Sequence, residues 1–495
     1  MKQSLPEPRF VMVLLAAVLS CGAFVGCGSP MVSDSPGTTS VSPPSDTAYL
    51  ATVRIGTTQG QAISPTFMGL SHEWGTAQTM LGDSTTGVNY TYRQLLQNLI
   101  AYGSGPLNLR IGGNSTDKTG APTSTTVQPF AELATALGVH FVLGVNLGAN
   151  NVNLAMDQAK TYVSQMPAGS LDAIEIGNEP DLYSKTGMRT APYAYQNYIA
   201  DFNIWKTSIT PLLPSGTQLM GASWASSGML SNIQSYDSSQ AKALANFSHH
   251  YYVANGQADN PDDILLKPSS ATNGPKAVAA AVNTTHAYGI PFRMGEMNSL
   301  YGGGKEGISD AFESALWAID TMFEYVNVGV DGVNWHLGNG GSYAAFSFGI
   351  HSTDAGTTYT LNSVRPLYYG LLFFQAATGN GAHLLPVTLS TNANLSAWAT
   401  ADSSGTRRLV IINKDTSSTG SVAVSLSGYS HAKVYRLSAP SYQSKTGVTF
   451  AGQTFDGSMN GVLKGTQTVE SINESSGVFQ IPMPITSAAL IVFSK

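Results

Sequence analysis

Residues 171–183 of the chain read LDAIEIGNEPDLY, and this stretch decides the interpretation of the fold. Its first six residues, Leu171 to Ile176, have the apolar character of a buried strand, and polar residues follow where the chain would surface. Pro180 has no backbone N–H group to donate within a sheet, so it favours a strand end just after Glu179. We therefore predict a buried strand that delivers a carboxylate to a functional rim.

The stretch PFRMGEMNSLYGGG at residues 291–304 repeats this pattern, with Glu296 in the position that Glu179 has in the first stretch. Hydrolysis of a glycosidic bond needs one carboxyl group to protonate the leaving oxygen and another to attack or stabilise the anomeric carbon. Two glutamates at two strand ends fit this chemistry better than two unrelated salt bridges or helix caps. A separation of about 5–5.5 Å between them would give a covalent intermediate and retained configuration.

Strand-like apolar runs that end in Gly, Asn, His or an acid recur along the chain, and helical patterns follow them. The runs begin near residues 65, 106, 140, 171, 217, 246, 291 and 329. Eight such units, spaced by roughly 40 residues, predict an α/β fold, a (β/α)8 TIM barrel, over residues 63–378. An open doubly wound sheet is the alternative, but we find no glycine-rich phosphate loop of the GxGxxG or GxxxxGKS kind.

Short β-rich runs separated by Ser, Gly and Asn replace the helical pattern over residues 379–495. This pattern predicts a C-terminal β-sandwich domain. Residues 49–62 contain an alternating strand that precedes the barrel, and we expect this strand to join the sandwich. Support of the barrel is the expected role of the domain. Carbohydrate binding is the weaker alternative, because no exposed row of aromatic residues is evident.

The first residues have the pattern of a secretory signal: a basic start precedes the apolar segment FVMVLLAAVL at residues 10–19, which is too short to span a bilayer stably. We predict a signal peptide over residues 1–27, of either the lipoprotein or the ordinary cleaved type. In the first case Cys21 or Cys27 is the candidate lipid anchor. A Ser/Thr/Pro-rich linker follows over residues 28–48. The expected location is periplasmic, cell-surface or secreted.

The overall composition narrows the classes of function. Charged residues make up 11% of the 495 residues, glycine occurs 51 times, and the formal net charge is −6. This composition fits a secreted carbohydrate-active or β-rich protein. An acidic chain without a basic run is not expected to bind nucleic acid. After cleavage of the signal at most one cysteine would remain, so no disulfide is expected within the mature chain.

The triplet Asn178-Glu179-Pro180 at the fourth strand, with Glu296 at the seventh, resembles the clan A glycoside hydrolases. Within that clan the chain is most similar to glycoside hydrolase family 79, the β-glucuronidase and heparanase group. The sharper feature is SLYGGG at residues 299–304, which resembles the family's loop for the uronate carboxylate. The resemblance extends over about residues 49–495.

This resemblance implies roles for individual residues. Glu179 would be the acid/base and Glu296 the nucleophile, while Asn178 would hydrogen-bond the 2-hydroxyl group of the sugar. Tyr252 would donate a hydrogen bond to Glu296 and hold it ionised and oriented. Arg110 could lower the pKa of the nucleophile through its fixed charge, or form a buried structural pair with a second acid, Glu175.

A glucuronide brings negative charge into an acidic protein, so local donors must compensate. Successive glycines, among them Gly302 and Gly303, let backbone N–H groups turn toward an anion. Tyr301 and Tyr343 can add hydroxyl donors, and Lys305 follows the glycines directly. The alternative is a flexible glycine loop with a packing tyrosine.

Other polar and aromatic residues also lie near strand ends. Glu73 would accept hydrogen bonds from sugar hydroxyl groups, whether the sugar is acidic or neutral. His72, His250 and His336 lack the spacing of a compact metal motif, so we predict no metal and expect hydrogen-bonding or packing roles. Trp335 would either stack under the sugar or fill the top of the barrel.

These observations predict a retaining glycoside hydrolase that releases terminal β-linked glucuronic acid from glycans or glycosides without a cofactor. A clan A enzyme that cleaves neutral sugars such as xylosides or glucosides is the first alternative. A non-catalytic, surface glycan-binding lipoprotein is the second, although a binding protein has no need for the carboxylate pair.

Overall fold

A closed barrel of parallel strands lies at the centre of the fold, as the computed structural model of the chain shows. The structure describes residues 49–103, 105–338, 340–379 and 381–495, without the side chains of residues 78 and 79. The predicted signal peptide, linker and candidate anchors Cys21 and Cys27 lie outside the described residues. In the described part of the chain, every helix falls short of the length and apolar character needed to cross a membrane.

The described strands, numbered in chain order, are β1 (Tyr49–Ile55), β2 (Met68–Glu73), β3 (Gly82–Asp83), β4 (Gly87–Val88), β5 (Asn108–Gly112), β6 (His140–Val145), β7 (Leu171–Ile176), β8 (Gln218–Trp224), β9 (Leu244–Asn255), β10 (Phe292–Tyr301), β11 (Gly332–His336), β12 (Phe346–Thr353), β13 (Gly356–Val364), β14 (His383–Leu385), β15 (Val387–Ser390), β16 (Leu395–Ala401), β17 (Arg407–Asn413), β18 (Gly420–Ser425), β19 (His431–Ser438), β20 (Thr449–Phe450), β21 (Glu470–Asn473), β22 (Val478–Met483) and β23 (Ser487–Ser494).

The described α-helices are α1 (Trp74–Met80), α2 (Tyr90–Tyr102), α3 (Ser124–Leu137), α4 (Val152–Gln165), α5 (Tyr183–Thr186), α6 (Tyr195–Ile209), α7 (Ile233–Gln240), α8 (Pro268–Ala287), α9 (Glu313–Asn327) and α10 (Pro366–Thr378). Short 3-10 helices lie at Thr116–Lys118, Pro180–Leu182, Thr210–Leu212, Ser227–Asn232, Ala241–Ala243 and Ile264–Leu266.

The barrel strands follow one another around the ring in chain order: β2, β5, β6, β7, β8, β9, β10 and β11, which pairs with β2. Neighbouring strands are parallel, so all their carboxyl ends meet at one mouth of the barrel. Helices cover the outside, which is why the strands read as nearly continuous apolar runs. For example, β10 is buried along all but its last residue. The predicted (β/α)8 barrel is confirmed, and the alternative of an open sheet is wrong.

Local sequence signals set helix limits around the barrel. The side chain of Asn89 caps α2 by accepting hydrogen bonds from the backbone N–H groups of Thr91 and Tyr92. Gly138 ends α3 in the left-handed conformation, with φ at 66°. These caps fix where each helix begins or ends relative to the neighbouring strand.

The C-terminal residues form a β-sandwich of two sheets, as predicted. One sheet has the order β15-β1-β18-β22, and the other the order β14-β16-β17-β23-β19-β20, with β21 paired to β19. β1 lies parallel to β18 and antiparallel to β15, so the strand that precedes the barrel is part of the sandwich. Apolar side chains such as Val53, Ile411 and Ile481 pack in the shared core.

A buried ionic cluster joins the sandwich to the barrel helix α9. Asp320 accepts hydrogen bonds from Ser396 Oγ at 2.9 Å and from Trp398 Nε1 at 2.8 Å, and it forms an ion pair with Lys414. Phe323, one turn further along α9, stacks on the Trp398 ring with 5.6 Å between centroids. These contacts hold the sandwich against the outer helix layer.

Two hairpins that the sequence pattern did not predict extend the rim at the carboxyl ends of the strands. The pair β3–β4 follows the first barrel strand, and the pair β12–β13 follows the last. The hydroxyl group of Tyr359 in β13 donates to Asp83 Oδ2 at 3.4 Å, so the two hairpins are in contact. Because both lie in loops after barrel strands, they belong to the face on which the carboxylates emerge.

Candidate active site

The two predicted carboxylates meet at the mouth of the barrel. Glu179 follows β7 after two loop residues, and Glu296 lies within β10. One carboxylate oxygen of each glutamate and one ring nitrogen of His250 all lie within 4.8 Å of one another. Oxygens this near to each other are consistent with the roughly 5–5.5 Å between the carboxyl groups of retaining glycosidases, and they favour that class over inverting enzymes, whose carboxyl groups are roughly 6.5–9.5 Å apart.

Glu179 occupies a strained and well-supported backbone position. Its φ of 48° and ψ of 52° are left-handed values that a residue with a side chain adopts only when its surroundings enforce them. The Glu179 N–H group donates to Ser223 O at 3.0 Å, and Asn178 N donates to Asp117 Oδ2 at 3.0 Å. The buried Asp117 also accepts from the Tyr183 hydroxyl group at 2.6 Å, so it anchors both ends of this loop.

Glu296 is surrounded by donors and positive charge. Its Oε1 accepts from the Tyr252 hydroxyl group at 2.8 Å, and its Oε2 lies 2.8 Å from Arg110 Nη1, 3.6 Å from His336 Nδ1 and 4.0 Å from His250 Nδ1. Burial alone would raise the pKa of this carboxyl group. The two histidines, the guanidinium and the tyrosine hydrogen bond nevertheless hold the pKa well below its usual range. Glu296 is therefore ionised at neutral pH.

His250 makes a closer contact with the other carboxylate. Its Nδ1 lies 3.0 Å from Glu179 Oε1, and its ring is almost completely buried between the two glutamates. The sequence indicated only that this histidine lay near a strand end. Its place between the acids could not be read from spacing, because it comes from a third strand, β9.

Arg110 unites the two roles that the sequence left as alternatives. Its side chain is fully buried, and Nε donates to both carboxylate oxygens of Glu175, at 3.0 and 2.8 Å. Nη1 contacts Glu296, while Nη2 donates to Asn178 Oδ1 at 2.7 Å. Asn178 is itself buried behind the cleft, and its Nδ2 donates to Asn114 Oδ1 at 3.3 Å. One guanidinium thus orients a structural acid, the candidate nucleophile and the amide beside Glu179.

Glu73 is the last residue of β2 and also lines the mouth. It accepts hydrogen bonds from the backbone N–H groups of Asn114 and Ser115 and from the Ser115 hydroxyl group. His336 Nε2 lies 3.7 Å from Glu73 Oε1. Burial lowers the pKa of His336, but the carboxylates of Glu296 and Glu73 more than offset this effect, so the pKa is raised overall. The His336 ring thus lies between these two acids.

The glycine loop, defined as Tyr301–Gly304, forms another wall of the mouth. Gly302, Gly303 and Gly304 have φ values of 82°, 94° and 84°, a left-handed series that side chains would strain. Among the described residues, none accepts a hydrogen bond from the backbone N–H groups of Gly302 or Gly303. The Tyr301 side chain is 49% exposed, and Tyr343 lies opposite with its ring centroid 6.0 Å from that of Tyr252. The loop therefore presents unpaired donors beside the carboxylates.

Trp335 does not contribute to this site, so the prediction that it would stack under the sugar is wrong. Its ring is fully buried and packs edge-on against Trp317 of α9, with 5.3 Å between centroids. Successive strand residues point to opposite faces. Because His336 points toward the mouth, Trp335 faces the helix layer. His72 is likewise a packing residue, buried against the Tyr92 hydroxyl group at 2.8 Å.

The two glutamates and His250 are also near enough to one another to hold a metal ion. The guanidinium of Arg110, 2.8 Å from Glu296, already supplies positive charge at that position. An added cation would meet this charge at short range. The absence of a metal from the chemistry remains a prediction.

A cleft of about 860 Å³ contains most of these groups. Its lining includes Glu179 and Glu296, together with residues from or just after β2, β9, β10 and β11, namely Glu73, Tyr252, Tyr301, Gly302, Gly303, His336 and Tyr343. Asn114 also lines it and was missed at the sequence level, because it lies in a loop with ordinary turn residues. The predicted residues Asn178 and Arg110 lie behind the cleft wall and act on it through hydrogen bonds.

Comparisons with known proteins agree with this architecture. Residues 397–490 match the Glycosyl hydrolase family 79 C-terminal beta domain. The chain is similar to a β-glucuronidase of Aspergillus niger, with 24% identity over 474 residues that cover 81% of this chain and 86% of that protein. It is also similar to a β-glucuronidase of Neurospora crassa, with 25% identity over 333 residues that cover 59% of this chain and 58% of that protein.

Solved structures share the same fold. A 4-O-α-L-rhamnosyl-β-D-glucuronidase from Fusarium oxysporum 12S superposes with a TM-score of 0.73 at 21% identity, covering 89% of this chain and 99% of that one. A GH51 arabinofuranosidase from Xanthomonas axonopodis pv. citri has a TM-score of 0.66 at 14% identity, covering 90% and 100%. At these identities the likeness extends to the barrel and its β domain.

Proposed function

We propose that this chain, a glycoside hydrolase whose resemblance to family 79 is confirmed by the β-domain match and the two relatives, is a retaining β-glucuronidase. It releases terminal β-linked glucuronic acid from glycans or glycosides. The observation that carries the proposal is the pair Glu179 and Glu296, whose nearest carboxylate oxygens lie within 4.8 Å of each other. A non-catalytic glycan-binding protein would gain nothing from holding two acids at this distance.

The two glutamates divide the chemistry. In the first step an oxygen of ionised Glu296 forms a bond to the anomeric carbon while the glycosidic C–O bond breaks, and Glu179 gives its proton to the departing oxygen. In the second step Glu179 takes a proton from a water molecule whose oxygen attacks the same carbon, and the bond to Glu296 breaks. Both displacements invert the carbon, so the product retains the β configuration.

The charged neighbours of Glu296 support its role as the nucleophile. A nucleophilic carboxylate must be ionised, and the surrounding positive groups hold its pKa low. The 2.8 Å hydrogen bond from Tyr252 to Oε1 orients the carboxylate. Arg110 holds the second oxygen and, through Asn178 Oδ1, turns the Asn178 amide so that its Nδ2 group points toward Asn114 at the cleft wall. Asn178 itself lies behind the cleft wall, so a contact with the 2-hydroxyl group of the sugar remains a prediction of the resemblance.

The glycine loop is the proposed site for the uronate carboxylate. The N–H groups of Gly302 and Gly303, which have no acceptor among the described residues, form a nest that suits an anion. The hydroxyl groups of Tyr301 and Tyr343 can add two donors from either side. Glu73 would accept hydrogen bonds from the ring hydroxyl groups. The same half of the cleft thus offers donors for the carboxylate and an acceptor for the hydroxyl groups.

Export of the protein is part of the proposal and rests on the sequence alone. The pattern of residues 1–27 favours a periplasmic, cell-surface or secreted enzyme, with Cys21 or Cys27 as the candidate lipid anchor. Labelling with a radioactive fatty acid, compared between Cys21→Ser and Cys27→Ser, would assign the anchor. Equal labelling of both single variants and of the double variant would refute it.

The test of the activity compares aryl β-glucuronide, β-glucoside and β-xyloside. We expect clear preference for the glucuronide, and preference for either neutral sugar would favour the alternative clan A activity. Glu296→Gln should reduce turnover by at least about a thousandfold. Glu313→Gln, the same change at a buried acid outside the cleft, is the matched control. Rescue of Glu296→Gly by azide should give the α-glucuronyl azide, and wild-type turnover by Glu296→Gln would refute the mechanism.

A further inference from the structure

The cleft has two chemically different halves that meet at Glu179. The first contains Glu296, Glu73 and the glycine loop, and the proposed function assigns it to glucuronic acid. The second, here called the leaving-group half, is lined by Leu182, Ala225, Ser227, His249, Tyr251 and Ala277.

Contacts place the leaving-group half directly beside the candidate acid. The N–H group of Ala225 donates to Asp181 Oδ1 at 3.1 Å, two residues beyond Glu179. Between β9 and α8, Tyr251 packs against Gly274, one helical turn before Ala277, since a Cβ atom on Gly274 would lie 2.7 Å from the tyrosine ring. The acid must reach the glycosidic oxygen to protonate it, so the group attached to that oxygen extends into this half.

The leaving-group half carries no formal charge on the described residues that line it. Its side chains are apolar or carry hydroxyl groups, except for His249. Burial, together with the neighbouring His250, lowers the pKa of His249 to about 3, so its ring is neutral at physiological pH. No Lys or Arg among the described residues lines any part of the cleft, whereas three glutamates do. An anionic leaving group would therefore find no cation here and would be repelled by nearby carboxylates.

We propose that the leaving-group half selects a neutral leaving group with an apolar face, an aryl alcohol or an uncharged sugar, and rejects one that bears a sulfate or carboxylate. This inference rests on the proposed β-glucuronidase activity and adds a specificity for the leaving group to that for the glucuronyl group. Leu182, Ala225 and Ala277 offer apolar surface on which such a face can lie. The cleft volume of about 860 Å³ lies high in the roughly 300–1,000 Å³ range of sites for whole ligands, so a group beyond one sugar ring can be enclosed.

Three substrates that share the glycone test this selection in the wild-type enzyme. They are β-D-glucuronyl fluoride, 4-(hydroxymethyl)phenyl β-D-glucuronide and the O-sulfate ester of the latter. At low ionic strength kcat/KM for the sulfate should be about tenfold or more below that of its neutral parent, and added salt should narrow the gap because it screens the repulsion. A sulfate cleaved as well as its parent overturns the proposal.

Hydrolysis of the fluoride distinguishes a failure of the proposed activity from a failure of the proposed leaving-group specificity. Fluoride departs without a proton donor and hardly occupies the leaving-group half, so its hydrolysis reports the glycone half and the nucleophile. Failure to hydrolyse the fluoride would overturn the proposed function itself. Hydrolysis of the fluoride with equal rates for the two aryl substrates would overturn only the specificity inferred here.

Two variants at one position test where the leaving group lies. Ala277 is exposed on α8, so both Arg and Gln fit there without disturbing the core. Ala277→Arg should raise the ratio of sulfate to neutral kcat/KM by about tenfold through a charge-assisted contact. Ala277→Gln, of similar size but uncharged, should leave that ratio near the wild-type value. Equal ratios in the two variants would show that the leaving group does not reach α8, and would overturn the proposal.

Discussion

Replacement of Lys414 by methionine tests the ion pair that attaches the sandwich to the barrel. The Lys414 and Asp320 side chains are only 2% and 3% exposed, so neither charge is solvated by water in the folded protein. Methionine keeps most of the volume of the lysine chain but removes its ammonium group. The carboxylate of Asp320 then keeps its hydrogen bonds from Ser396 and Trp398 and loses its only counter-charge among the described residues.

The magnitude follows from burial. Removal of one partner of a buried pair leaves an uncompensated charge, at a cost of about 3–5 kcal/mol in the free energy of unfolding. Removal of both charges, as in Asp320→Asn combined with Lys414→Met, should cost much less, because the desolvation of Asp320 disappears together with the attraction. The double variant should therefore be more stable than the Lys414→Met single variant.

Urea unfolding at neutral pH, followed by tryptophan fluorescence, measures these differences. Lys445→Met is the matched control, because the 41% exposed Lys445 side chain pairs with Glu306 and Asp310 at the surface, and pairs open to solvent contribute little. If Lys414→Met shifts the urea midpoint no further than Lys445→Met, the buried pair does not have the role assigned to it. A double variant less stable than Lys414→Met would refute the desolvation argument.

Two further predictions concern the site and the pH dependence of stability. Tyr252→Phe removes a hydrogen bond to charged Glu296, a loss of about 1.5–3 kcal/mol that should lower kcat/KM for an aryl β-glucuronide roughly 10–100-fold. Tyr301→Phe should instead change mainly KM, and a Tyr252→Phe enzyme with wild-type kcat/KM would contradict the assignment. Burial raises the pKa of Glu313 from 4.5 to about 9, so its contribution to stability is complete below pH 4.5 and is lost as the pH rises through 9. The free energy of unfolding should fall over that interval and fall less in Glu313→Gln, and parallel pH curves for the two proteins would exclude this origin.

The barrel and its two carboxylates could be predicted from the sequence because both depend on local signals. A buried strand can be recognised as an apolar run in the sequence. In a parallel barrel the carboxyl ends of all strands lie at the same mouth. Glu179 follows such a run and Glu296 lies within one, in both cases toward the mouth, so their meeting follows from the topology without any knowledge of distances. Tyr252 and the glycine loop were found in the same way, with the resemblance supplying their roles.

The phase of a strand is harder to predict than its existence. In a strand buried on both faces, the sequence does not tell which residues point into the barrel and which toward the helices. Trp335 was misplaced for this reason, and its neighbour His336, which does face the mouth, received no specific role. The only sequence signal for the direction of the His336 side chain was that it is a polar residue between large apolar ones.

Residues that act from loops gave no signal at all. Asp117 lies in the short 3-10 helix after β5 and accepts hydrogen bonds from the Asn178 backbone and the Tyr183 hydroxyl group, yet nothing in its sequence neighbourhood distinguishes it from an ordinary turn acid. The sequence gives no signal for the lining of the leaving-group half either, since Ala225 and Ala277 are small residues without a reactive or charged group. These residues matter because they are uncharged, and only the folded structure shows that they line the cleft.

Arg110 shows why structural and functional roles need not compete in such a barrel. A fully buried guanidinium is stable only if carboxylates surround it, and Glu175 alone would satisfy that need. Because the planar group has several donors in fixed directions, binding Glu175 through Nε points Nη1 at Glu296 and Nη2 at Asn178. The fixed arginine thereby holds the nucleophile ionised before substrate arrives. Lysine could neutralise one acid but could not hold all three partners. Arg110→Lys should therefore raise the activation free energy of turnover by more than it lowers the free energy of unfolding. Equal changes in these two free energies would contradict this account.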